Sequence, residues 1–79
     1  MTIYVVVVSH RHGEDVYVAL TEAECYERLA EYVLEWWQDE MPDPVPELPD
    51  NNEELVRLYF ERVPDEWFVV QEAELDLSK

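Results

Sequence analysis

IYVVVVSHRHGEDVYVAL, residues Ile3 to Leu20, is the stretch whose reading decides the fold. Its first half, residues 3–10, is apolar and β-branched at consecutive positions, the composition of a central strand covered at least partly on both faces. Residues 15–20, DVYVAL, share that character and predict a second strand. Between them lies RHGE with the only glycine of the chain, whose access to positive φ suits a tight hairpin loop.

Beyond the hairpin the period changes. Thr21 with Glu24 forms a T-x-x-E capping box, and ECYERLAEYVLEWWQDEM then carries apolar residues at 26, 29, 33, 36 and 37, at helical spacing. A helix of about 20 residues, about 30 Å long, follows from that pattern. PDPVPELPD holds four of the five prolines and breaks the helix into an extended connection. A second helix is expected after Asp50 with Leu55, Leu58 and Tyr59 inward, closed by Pro64 and Asp65, and EWFVVQEAELDL, residues 66–77, reads as a third strand. The order β-β-α-α-β predicts one acidic α+β domain over residues 1–79, with no repeat or second domain. Its sheet is three-stranded and antiparallel, the third strand lies beside the first, and the two helices pack on one face. The first strand has an apolar residue for each face, so a homodimer through the uncovered face is a further expectation.

A chain of 79 residues buries only about 60% of its unfolded surface, so its core needs large side chains. Three Trp, five Tyr and two Phe in a 48% apolar composition supply them. The charge is lopsided. Twenty Asp and Glu stand against five Lys and Arg, a net charge of -15, which strains a compact fold by self-repulsion that added salt should relieve. Partners should therefore be basic protein surfaces, with no direct binding to nucleic acid and none to membranes. The lone cysteine, Cys25, cannot form an internal disulfide and suits a reducing compartment. The opening MTIYVVVVSH has a six-residue apolar run and no basic flank, too short for a signal peptide or membrane span, so the expected location is cytoplasmic.

SHRHGED looks at first like a metal site. His10 and His12 in a strand would share a face about 7 Å apart, with Glu14 or Asp15 as further ligands. Two histidines with two carboxylates match no recognised ligand spacing, and a hairpin end explains Gly13 equally well, so neither a metal nor any other cofactor is expected. Paired carboxylates are abundant, but general acid-base work needs one raised by burial in a cleft. Ser9 lacks a nucleophile elbow, Cys25 falls in a helix, and one glycine makes no phosphate cradle. The sequence thus does not read as an enzyme. PELP, Pro46 to Pro49, matches P-x-x-P but has acidic flanks and reads as a rigid loop. Of the adjacent Trp36 and Trp37, about 100° apart on the helix, one is expected inside and the other at the rim.

The acids of the first helix carry more information. Glu27, Glu31, Glu35 and Asp39 recur at i, i+4, with Glu24 and Glu40 extending the row at its ends, a like-charge ridge with about 6 Å between steps. Each such pair costs a few tenths of a kcal/mol, and only Arg28 is near enough to offset them. Further acids follow in the proline loop, at the second helix and on the last strand. A rod with negative charges a few Å apart imitates the phosphate track of a duplex, with one charge per about 3.4 Å on each strand. In size, charge and the acid-rich stretches TEAECYERLAEYVLEWWQDEM and NNEEL, the chain resembles the small inhibitors encoded by phages and mobile elements, both DNA mimics and anti-CRISPR proteins. These share no common fold, so the resemblance assigns no residue roles. It implies non-catalytic occupation of a basic, nucleic-acid-binding surface on a partner protein. The rival reading is a homo-oligomeric structural or regulatory protein whose acidity serves solubility or a salt-rich cytoplasm, against which 14 Glu to 6 Asp leans mildly.

Overall fold

The computed structural model describes residues 1–76. Its elements run β1 (Thr2–His10), β2 (Gly13–Ala19), α1 (Glu22–Glu40), α2 (Asn52–Arg62) and β3 (Trp67–Glu74). The sheet has strand order β2-β1-β3 with both pairings antiparallel, so the fold is α+β with β1 at the centre.

Because side chains alternate along a strand, β1 sorts its residues by parity. Tyr4, Val6, Val8 and His10 face the helices, and Val6 and Val8 are fully buried there. The register aligns Val6 with Tyr17 and Val70, and Val8 with Asp15 and Phe68, so the same face continues across all three strands. Ile3, Val5, Val7 and Ser9 point the other way. Over the covered face lie Cys25, Leu29, Val33 and Trp37 of α1, packed with Leu55, Val56 and Tyr59 of α2. Burial pushes the Cys25 thiol up, with Glu22 and Glu24 adding to the effect, and so keeps it protonated and unreactive at neutral pH.

Both helices start at caps written in the sequence. The Thr21 hydroxyl accepts the Glu24 amide at 3.1 Å, and Asn51 Oδ1 accepts those of Glu53 and Glu54 at 2.8 and 3.2 Å. Met41 and Val63 close them, with amides donating to Trp37 and Tyr59 carbonyls, and a proline follows each. Trp37 is buried and Trp36 half-buried, as the 100° offset requires. The inward face of α2 is wider than its spacing suggests. Val56 is fully buried and Leu58 only partly, because α2 packs on α1 and on the sheet at once.

The limits of all three strands differ from expectation, β1 only by starting at Thr2 instead of Ile3. β2 begins at Gly13, since pairing continues to the turn as His10 opposite Gly13, and it ends at Ala19. β3 is shorter than 66–77. Glu66 is drawn out of the strand, its amide donating to the Val63 carbonyl at 3.1 Å, strand structure stops at Glu74, and residue 77 lies outside the described residues. The hairpin loop is Arg11 and His12, neither of which takes positive φ, so the turn alone would splay the right-twisted strands. Gly13, at φ +130°, absorbs the mismatch. A Cβ there would meet no atom within 4 Å, so Gly13→Ala isolates backbone strain from steric clash. It should lower the unfolding free energy by about 1–3 kcal/mol with an unchanged urea m-value. A neutral result in urea denaturation would show that the turn tolerates a side chain.

Candidate functional site

The residues singled out by sequence occupy two places, the hairpin end of the sheet and the outer surface of α1. At the hairpin, the His12 amide donates to His10 Nδ1 at 3.2 Å, which leaves Nε2 to carry the proton and donate to Asp15 Oδ2 at 3.1 Å. Both ring nitrogens of His10 are thus used within the turn, and its ring stacks on Tyr32 of α1 at 5.9 Å between centroids. His12 is exposed. Among the described residues no three His, Cys, Asp or Glu side chains gather as a metal site.

On α1, Glu27, Glu31, Glu35 and Asp39 are all exposed. At about 100° per residue, an i, i+4 row does not run straight but turns by about 40° at each step. It starts on the solvent side at Glu27 and winds toward the flank above β2. The Tyr17 phenol on β2 registers this: burial raises its pKa most, and Asp15, Glu35 and Glu31 raise it further. Asp15 therefore joins the same negative field, which sequence spacing could not reveal. Arg28 reaches Glu31 at 3.6 Å, both side chains well exposed, a contact too solvated to neutralise the row. Glu24 falls within the angular range of the row and carries it one turn further. Glu40 does not extend it. About 100° beyond Asp39, it turns toward the sheet, half-buried, and binds the guanidinium of Arg11 in the hairpin loop. This hydrogen bond, more than the charge of Glu40, holds the Arg11 pKa above its ordinary value.

Sequence reasoning missed the one acid that is buried among the described residues. Glu66, 6% exposed, lies where α1, α2 and the start of β3 meet, and its Oε1 accepts the hydroxyls of Tyr32 at 2.6 Å and Tyr59 at 2.8 Å. A signal existed, since two tyrosines on inward helix positions need a polar partner for their hydroxyls. Beside this cluster a cleft of about 210 Å³ opens between the α1 end and the residues after α2, with Arg11, Glu40, Arg62 and Asp65 in its wall. Arg11 pairs with Glu40 there and Glu66 is engaged with both phenols, so the arrangement ties α1, α2, the hairpin and the start of β3 together. Tyr32 also stacks with Phe60, which packs on Phe68, so an aromatic chain continues from the hairpin to β3.

Burial first, and the hydrogen bonds to Glu66 second, hold both phenols far above the ordinary tyrosine range. The folded state thus keeps two protons that the unfolded chain releases above about pH 10. Stability from this source is complete at neutral pH and is lost as pH rises past 10. Tyr59→Phe should cost about 1–2 kcal/mol at pH 7 and make the alkaline loss shallower, read by denaturation at stepped pH. An unchanged alkaline slope would mean that these phenols do not govern it. In comparisons with known protein families, characterised proteins and solved structures, the chain matches none.

Proposed function

We propose that this chain is a non-catalytic binding protein that occupies a basic, nucleic-acid-binding surface of a partner protein, acting as an inhibitor of the DNA-mimic or anti-CRISPR kind. The observation that carries this reading is the exposed row Glu27, Glu31, Glu35 and Asp39, with the half-buried Glu24 at its head, facing solvent on one helix with, among the described residues, only Arg28 paired to it. A surface selected for stability alone would interleave lysines with these glutamates. The unrelieved repulsion becomes favourable once a partner's Lys and Arg side chains lie along the row, and complementary charge also speeds encounter. Glu40 stands apart, being bound to Arg11, and contributes to the field without a free carboxylate to offer.

The test is capture of nucleic-acid-binding proteins on the immobilised chain, eluted through rising NaCl and challenged with duplex DNA. A complex that salt releases and DNA displaces supports the proposal. The double reversal Glu31→Lys with Glu35→Lys should weaken that capture at least tenfold while circular dichroism stays unchanged. Equal capture by this variant at moderate salt would remove the row as the interface. Titration with KCl separates the salt-adaptation reading. The proposal expects a folded chain in dilute buffer whose urea midpoint rises modestly with KCl, whereas a chain that needs molar KCl to fold would favour adaptation to a salt-rich cytoplasm.

A further inference from the structure

The face of the sheet turned away from the helices is apolar. On β1 it presents Ile3, Val5 and Val7, and the register sets Val18 beside Val5 and places Val16 and Val69 on either side of Val7. Trp67 stands next to Ser9 in the row at the hairpin end. The outer positions are open: Val16 is 61% exposed, Val18 58%, Trp67 52% and Val69 44%. Scattered surface valines need no explanation, but Val16, Val7 and Val69 are contiguous across three strands, and the exposed Gln71 beside Val5 is the polar interruption on the β3 side. In a chain with 20 acidic residues, the only charged side chain in these rows is Glu14, at the hairpin rim.

We propose that a second copy of this chain covers this face, sheet against sheet about a two-fold axis. Charge decides the chemistry of the occupant. A face whose one carboxylate, Glu14, sits at its rim offers little to a basic surface, and a net charge of -15 opposes an anionic membrane, so the occupant is itself a flat apolar surface. The chain's own face is one, and it is complementary to itself under two-fold symmetry. The acid rows do not oppose the pairing. With layers about 10 Å apart, two sheets back to back place the helices on opposite outer sides, the rows about 30 Å from each other. That is several Debye lengths at physiological salt, where the length is about 8 Å. The area is at the threshold. Three strands over seven residues span about 14 by 23 Å, about 640 Å² for two flat faces, and side-chain relief of roughly one half more brings the total to about 1,000 Å², the lower bound for a specific interface. This inference is independent of what the acid row binds.

Sedimentation equilibrium from 5 to 500 µM in 0.15 M NaCl tests it. The expected mass is twice the 9.5 kDa of one chain, and because the association is apolar it persists in 1 M NaCl, unlike binding through the acid row. Val16→Glu with Val69→Glu should give a folded monomer, both side chains being exposed in the single chain. The milder Val16→Thr with Val69→Thr keeps β-branched residues and should raise the dimer Kd at least tenfold if the charged pair fails to fold. A 9.5 kDa species at every concentration, a dimer unaffected by the threonine pair, or growth beyond two copies would each overturn the proposal.

Discussion

A strand has two faces, and β1 puts valine on both. That single constraint organises the molecule. The even-numbered valines, Val6 and Val8, need cover and receive α1 and α2, while Val5 and Val7 face outward on the opposite side. With period 2, a slip of one residue would exchange the two faces, yet both are valine, so hydrophobicity alone does not set the register. The flanking residues set it. Tyr4 and His10 share parity with the buried valines, and His10 in that position reaches Asp15 and stacks on Tyr32. Shifted by one, Ser9 would lie under the helices and His10 beside Trp67, where its ring could reach neither Asp15 nor Tyr32.

Electrostatics then divides the layers. The acids of both first helical turns, Glu22 and Glu24 in α1 and Glu53 and Glu54 in α2, sit where the helix dipole favours negative charge. The end of α1 is the reverse case. Asp39 and Glu40 lie at its carbonyl end with no basic residue in the last turn. Arg11, carried there by the hairpin, supplies the missing cation and ties β1 and β2 to the far end of the helix. The hairpin that first looks like a metal site thus has an electrostatic task in the fold. The same contact takes Glu40 out of the acid row.

Much of this was legible in the residues. The caps at Thr21 and Asn51, the prolines after each helix, the valine-rich strands and the offset of Trp36 from Trp37 are local signals, and local structure follows them. What was not legible depends on contacts between residues far apart in sequence. Glu66 looks like one acid among twenty until Tyr32 and Tyr59 arrive from two different helices. Glu40 looks like a step of the row until Arg11 reaches it across 29 positions. The buried Trp37 has no hydrogen-bond partner for its indole Nε1 among the described residues, and no sequence pattern announces such an orphan donor.

The geometry of the row bears on what it resembles. An i, i+4 series on a right-handed helix advances about 40° for every 6 Å of rise, which traces a right-handed stripe of about 54 Å per turn. A phosphate strand is also right-handed, with a turn of about 34–36 Å. A straight acidic edge, such as a β-strand or a series repeating every seven residues would offer, lacks that inclination or has the opposite one. On the proposed reading, a basic groove shaped to a duplex backbone, inclined and concave, would meet the row over the outward side of α1 and the flank above β2, where Asp15, engaged by His10, adds to the negative field. Orientation must be held for such a match to count. The aromatic chain from His10 through Tyr32 and Phe60 to Phe68, together with the shared hydrogen bonds to Glu66, locks α1 on the sheet, so the ordering cost of presenting the row falls on folding and not on binding.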